Sequence, residues 1–333
     1  MPMERVLLAH GSGGVESHHL ISEIFFKELG NEILALGEDA GVIETGGKIA
    51  VSTDGFTVTP LFFPGGDIGK LAICGSANDV AMMGAKPSYI TCSFMIEEGF
   101  EVEKLRKIVA SMGKELQKSG MKMISGDTKV IPKGGVDQIF ITTTALGEVK
   151  HPLSCHHLEA GDAILVSGAI GTHGAVIYAS REEMGLKSPL ESDCAQLWEM
   201  LEPLLAANLG IKTMRDATRG GLAAVLNEWS QSVGKGIEIS EETLPFKTEV
   251  KGICEILGFE ACNLANEGMC VIALPKESAS RALEMLKAHP LGLEASLIGE
   301  VVENHPGRVV MKSEWGTRRY LDYPSGELLP RIC

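Results

Sequence analysis

Apolar residues at Leu20, Ile21, Ile24, Phe25 and Leu29 fall on one helical stripe and predict an amphipathic helix over 17–29, with Gly30 standing where a left-handed helix stop belongs. Residues 48–54 alternate, with Ile49, Val51 and Thr53 on one side, and predict a strand that delivers Asp54-Gly55 into a turn. Residues 71–83 read as a helix ended by Gly84-Ala85-Lys86-Pro87. Over 101–119, Val102, Leu105, Ile108, Val109, Met112 and Leu116 form one stripe, with acids at the start and Lys118 near the end complementing the helix dipole. Residues 121–125 and 138–145 follow as strands around a turn at Gly134-Gly135.

Residues 148–162, with Pro152 and Gly161-Asp162, look like a connection before a strand at 163–167, so the expected boundary between two domains lies there. The second half predicts helices at 220–233 and 277–288 and strands at 270–274 and 308–312, and no fixed 20 to 50 residue period points to a solenoid. After Tyr320, Leu321-Asp322-Tyr323-Pro324-Ser325-Gly326 has turn chemistry, so 321–333 is expected to be a mobile tail. Fully extended it would reach roughly 40 Å, enough to visit two sites.

Composition narrows the function classes. At 333 residues and 44% apolar content the chain has material for two medium cores. A net charge of −14 disfavours a backbone grip on nucleic acid or on an anionic membrane, while a nucleotide with bound cations stays compatible. The N-terminus leads to no apolar signal core and no uncharged stretch is long enough to span a bilayer, so a cytoplasmic location is expected. Eight scattered cysteines then read as reduced thiols that mostly pack cores. Cys155-His156-His157 resembles a metal cluster, yet adjacent residues point in different directions and fit a surface or linker role.

The last residue, Cys333, is set apart, since a thiol at the end of a mobile tail is free to travel. A reference pKa of about 8.5 leaves little thiolate at neutral pH. No Cys-x-x-Cys pair occurs, and a prenylation box would need its cysteine fourth from the end.

Acids among small residues recur at predicted element ends: Asp39, Asp54, Asp79, Asp127 and Asp216. Converging carboxylates suit Mg²⁺, which commonly bridges protein acids to phosphates, although singly Asp also caps helices and makes turns. Asp79 lies inside an apolar helix, where an acid needs a partner, which makes it the strongest cation ligand on physical grounds. Asp216 precedes Gly220-Gly221 and a helix whose N–H groups and dipole suit an anion, and Gly11-Ser12-Gly13-Gly14 would close over phosphates in the same manner. Neither a P-loop nor a dinucleotide fingerprint is present.

Taken together, Gly11-Ser12-Gly13-Gly14, Glu38-Asp39-Ala40, Ser52-Thr53-Asp54-Gly55, Asn78-Asp79-Val80-Ala81, Ser125-Gly126-Asp127-Thr128-Lys129, Asp216-Ala217-Thr218-Arg219-Gly220-Gly221, Asn266-Glu267-Gly268 and the final Pro330-Arg331-Ile332-Cys333 resemble the ATP-binding superfamily of aminoimidazole ribonucleotide synthetase, selenophosphate synthetase and thiamine-phosphate kinase, and most closely its hydrogenase maturation family, HypE. The final string discriminates the family, and the rest specify only the superfamily.

The resemblance implies an α+β, two-domain aminoimidazole ribonucleotide synthetase-like fold: residues 1–150 for ATP binding and dimerisation, 151–320 as an α+β domain, and the tail 321–333 carrying Cys333. It implies a homodimer, a HypF carbamoyltransferase partner, a HypC–HypD acceptor complex, and ATP-dependent dehydration of an S-carboxamide on Cys333 to an S-cyanate. It assigns ATP contacts to Gly11, Ser12, Gly13, Gly14, Asp54, Asn78, Thr128, Gly220 and Gly221, and Mg²⁺ ligands to Asp39, Asp54, Asp79, Asp127 and Asp216. Glu267 takes the role of base with Lys129 assisting; by residue type alone, Glu267 equally suits a cap or salt bridge and Lys129 a phosphate contact. His10, His18, His19 and His173 stay open between catalysis and a loop or core role. Two alternatives share the same residues: a small-molecule ATP-dependent synthetase or kinase, and a non-catalytic thiol carrier. Selenophosphate synthesis is disfavoured because the first cysteine, Cys74, lies well past the glycine-rich segment.

Overall fold

A computed structural model describes residues 5–7, 19–32, 46–181, 188–324 and 332–333. Gly11 to Gly14, Asp39, His10 and His18 lie outside the described residues.

The first sheet is built from β1 (Ile49–Phe56), β2 (Ala85–Glu97), β3 (Lys122–Ile131) and β4 (Ile139–Val149), in the order β1-β4-β2-β3. Only β2 and β3 run parallel; the other pairs are antiparallel. One face is covered by α1 (Ile68–Met82) and α2 (Val102–Ser119). The six apolar positions predicted for α2 are all buried, and Gly120 ends it in left-handed backbone at φ 71°. α1 is nucleated by Asp67, whose carboxylate accepts the N–H groups of Gly69 (2.7 Å) and Lys70 (3.1 Å) and so satisfies two of the donors a helix start leaves free.

Two local expectations are corrected. The strand through Asp54-Gly55 does not turn there; it continues to Phe56, hydrogen-bonded throughout to β4. Its apolar Ile49 and Val51 face away from the helices and are exposed, whereas Ser52 and Asp54 point to the helix side. The segment before Gly30 is helical, π-wound over Ile21–Phe26 and α-helical over Lys27–Leu29, but Gly30 leaves it in extended backbone (φ −59°, ψ 141°) rather than left-handed.

The second sheet contains β5 (Asp162–Val166), β6 (Thr213–Asp216), β7 (Gly236–Ser240), β8 (Cys270–Pro275), β9 (Ser296–Val302), β10 (Val309–Lys312) and β11 (Arg318–Tyr320), in the order β11-β10-β7-β9-β5-β8-β6. Every pair is antiparallel except β7 with β10. Helices α3 (Thr172–Ala179), α4 (Trp198–Ala206), α5 (Gly221–Val233), α6 (Thr248–Leu257) and α7 (Ala279–Lys287) complete this half. One core pairs Ile164 and Val271 with Leu222 and Trp229 of α5, and another pairs Leu165 and Ile272 with Leu201 of α4 and Leu286 of α7. Both faces of β5 and β8 are therefore covered, which explains their continuous apolar runs.

The C-terminal end of α1 joins the halves: Ala81 and Met82 pack in the core of α4 and β8, while the rest of α1 lies on the first sheet. Asp79 stands one turn before that junction. Among the described residues no helix is long and apolar enough to cross a membrane.

Candidate active site

Asp54 from β1, Asp79 from α1 and Asp216 from the end of β6 meet where the two sheets adjoin. Ser52 donates to Asp79 at 2.5 Å, and Asp79 shares one cavity wall with Asp54 and Asp216. Burial first, then the charge of Asp216, pushes Asp79 up to about 8. Burial and the charge of Asp54 push Asp216 up to about 6. At neutral pH Asp79 thus keeps its proton beside Asp54 and Asp216. Such crowding suits a divalent cation, since Mg²⁺ held with phosphate and water oxygens needs only one or two protein carboxylates. Among the described residues no three His, Cys, Asp or Glu side chains make a ready cage by themselves. Cys155–His157 is a 3₁₀ turn whose first donor, the His156 N–H, is taken by Ser154.

A cavity of about 50 Å³ opens on this cluster, lined by Asp54, Asp79, Asp216, Arg219, Glu267 and Cys333 among others. A wider cleft of about 540 Å³ shares Asp79, Asp216, Thr218 and Arg219 with it and extends past Met83 and His156. Glu267 is 3% exposed, and burial holds its carboxyl well above the ordinary range, helped by the neighbouring Cys194, Asp216, Asp193 and Asp54. Cys333 is pushed up to about 12 by burial and by Glu267 and Asp54, with Arg219 opposing. The tail's last two residues are therefore docked inward, with Ile332 buried in the first core.

Glu267 is aimed by backbone contacts. Asp193 accepts the N–H of Glu267 (3.2 Å) and of Gly268 (3.1 Å) and the side-chain amide of Asn266 (2.7 Å). A Cβ on Gly268 would lie 1.7 Å from the Asp193 carbonyl oxygen, so only glycine lets these strands of chain approach. Asn266 also donates to Ala169 and accepts from Gly171. Asn78, expected at a ligand, instead gives its amide to the carbonyls of Ala195 (3.0 Å) and Glu267 (3.4 Å) and accepts from Leu197 (2.9 Å). Its side chain is occupied in placing the Glu267 loop.

Gly220 and Gly221 are both left-handed (φ 77° and 59°) at the start of α5, which no side chain caps. A Cβ on Gly221 would sit 2.5 Å from the carbonyls of Cys262 and Leu264.

Asp127, Thr128 and Lys129 are not brought to the cluster within one chain. Asp54, Thr143, Cys92 and Gly126 form one row across the sheet, so β3 lies three strand spacings, about 14 Å, from Asp54. Asp127 and Lys129 also project to the opposite face, paired to each other at 3.1 Å and exposed. Thr128 shares the helix side with Phe94, at the far edge. His19 is exposed, whereas His173 is wholly buried against the tail. Asp193, Ser192 and Thr57, which the sequence reading passed over, all shape the site; only the loop character of 188–193 and a strand-end threonine hinted at them.

Two family models divide the chain: AIR synthase related protein, N-terminal domain, over residues 37–149, and AIR synthase related protein, C-terminal domain, over 159–312. The Escherichia coli protein named carbamoyl dehydratase HypE is 46% identical over 341 residues, spanning 99% of this chain and 100% of that protein. The chain belongs to the HypE family. A crystal structure of the hydrogenase maturation protein HypE in complex with ATP superimposes with a TM-score of 0.94 at 41% identity, covering 98% of this chain and 99% of the other. A HypE–HypF complex matches at TM-score 0.81 and 46% identity, over 92% and 99% of the two chains. Family membership makes the chain a carbamoyl dehydratase of hydrogenase maturation.

Proposed function

We propose that the chain dehydrates an S-carboxamide carried on its own Cys333 to an S-cyanate, with ATP converted to ADP and phosphate, and so supplies the cyanide ligand of [NiFe]-hydrogenase. The observation that carries this is the thiol of Cys333 sharing one small cavity with Glu267 and the three acids. The balance is RS–C(O)NH₂ + ATP → RS–C≡N + ADP + phosphate: the carboxamide oxygen leaves on phosphate and both nitrogen protons are lost. Bound ATP supplies the leaving group, because oxide by itself cannot depart.

The residues divide the work. Asp54, Asp79 and Asp216 would hold Mg²⁺, whose charge would offset their crowding and that of the phosphates. Arg219 and the uncapped start of α5 at Gly220-Gly221 favour an anion beside them. Glu267 accepts the nitrogen protons, and for this it must first lose its own. Burial is the larger hold on that proton, and compensating the charge of Asp216 and Asp54 would lift part of the rest, so a filled site favours its loss.

Asp127 and Lys129 fit this scheme through a homodimer. Their sheet face also exposes Ile49, Val51 and Met95, apolar surface that a second copy would cover; from the motifs, Asp39 joins the Mg²⁺ ligands and Gly11 to Gly14 the ATP contacts. We assign 1–150 to ATP binding and dimerisation, 151–320 to the second domain, and 321–333 to the tail. A HypE relative crystallised with HypF supports a HypF-type carbamoyltransferase as the donor; a HypC–HypD complex as acceptor and a cytoplasmic setting complete the proposal.

The test is mass spectrometry of the tail after carbamoylated protein meets MgATP. One water is expected to leave Cys333, with none lost from Glu267→Gln; ATP hydrolysis that leaves the carboxamide intact would overturn the assignment.

A further inference from the structure

We propose that Thr57 and His173 form a latch that grips the tail by its backbone, making them positioning residues for the dehydration; the proposal rests on Cys333 being the carrier of the reacting group. The Thr57 N–H donates to the carbonyl oxygen of Cys333 at 2.8 Å, and the Thr57 hydroxyl reaches the same oxygen at 3.2 Å. Nε2 of His173 lies 2.8 Å from the carbonyl oxygen of Ile332. A carbonyl only accepts, so Nε2 carries the hydrogen and Nδ1 is left as acceptor. Nδ1 finds the Ser192 hydroxyl at 2.8 Å, and Ser192 Oγ in turn accepts the Cys194 N–H at 3.1 Å. The imidazole is fully buried, edge-on to Phe63 at 5.4 Å. Ser192 and Phe63, which lie outside the tail, hold the orientation of the ring, and the Ile332 carbonyl selects its tautomer.

Two consequences follow from what is gripped. Every bond of the latch goes to a backbone oxygen, so the sulfur is untouched and a carbamoyl group on it alters none of them. The latch therefore holds the free and the modified tail alike, and delivers either sulfur to Glu267. The segment that orients the latch also aims the base: Ser192 sets His173, Asp193 holds the N–H groups of Glu267 and Gly268, and the Ala195 N–H donates to the Glu267 carbonyl at 3.2 Å. Tail position and base position are thus referenced to the same four residues, 192–195.

Alkylation of Cys333 in the full-length protein, followed by mass spectrometry of the tail, reads docking without any turnover, because a docked thiol is shielded and a released one is not. His173→Ala is expected to speed Cys333 alkylation by about tenfold, the effect of losing one buried hydrogen bond and leaving its acceptor unmet, and to slow dehydration of the carbamoylated tail by a similar factor. Carbamoylation by the HypF-type partner, which also needs a released thiol, should not be slowed. His173→Gln, which keeps an N–H for Ile332, should restore most of both rates, a rescue that a purely packing role would not give. Thr57→Val, lacking only the hydroxyl bond, should shift both rates about threefold in the same directions and serves if His173→Ala does not fold. Wild-type alkylation rates in these variants, or a freed tail that is dehydrated at the wild-type rate, would overturn the latch. Shielded Cys333 in a wild-type protein that never dehydrates would count against the assigned reaction instead.

Discussion

Asp79 is a buried carboxylic acid beside Asp54 and Asp216, and burial first, then the charge of Asp216, keeps a proton on it at neutral pH. An unfolded aspartate releases its proton near 3.8, whereas folded Asp79 holds it to about 8. Between those limits the folded chain binds the extra proton, so stability without ligand falls as pH rises through the window and levels off above it. Asp79→Asn removes the titrating group, and thermal denaturation across the window should show a flatter decline; an equally steep one would place its source elsewhere. The same variant should weaken Mg²⁺-dependent ATP binding by about tenfold in calorimetry, the scale of one lost charge-assisted contact. The sequence already marked Asp79, because an acid inside an apolar helix demands a partner. It gave no such mark to Asp193, whose three acceptor bonds depend on a loop, 265–268, that lies more than seventy residues away.

At the scale of elements, α1, α2, α5 and α7 were legible, whereas α3, α4, α6 and several strands were not. α2 showed its buried stripe because one face meets the core and the other meets water. β2, the central strand of the first sheet, escaped notice: Pro87 sits at a register shift, and its outward Thr91 and Ser93 dilute the apolar run of Ile90, Cys92, Phe94 and Ile96. β1 was recognised, with Ile49, Val51 and Thr53 on one side as expected, but only the structure shows that this apolar side is the exposed one. The Asn266-Glu267-Gly268 turn is the element on which the base depends. Gly268→Ala would force the turn away from the Asp193 carbonyl, at a cost of about 1–3 kcal/mol by the usual measure of overpacking. A lower midpoint in urea together with lost dehydration is expected; unchanged values for both would show that the turn yields without moving Glu267.

For the whole molecule, the proposed dimer decides where Lys129 acts. If the partner's sheet brings Lys129 to Glu267, a mixture of Lys129→Ala and Glu267→Gln chains contains heterodimers with one intact site, and dehydration should return on mixing two inactive proteins. Two inactive proteins that stay inactive after verified exchange would confine Lys129 and Glu267 to one chain or to separate tasks. The sequence by itself determined the chemical inventory: acids beside glycines, a base candidate in Asn266-Glu267-Gly268, and a cysteine on a tail, all of which are properties of residue type and short spacing. Only the tertiary structure decided which of them meet. Asp54, Asp79 and Asp216 converge because α1 runs from one sheet to the other, while Asp127 and Lys129, equally prominent as motifs, fall three strands away on the opposite face. Local pattern records what a residue can do; the crossing of elements distant in sequence sets its neighbours, and neighbours fix charge, burial and reach.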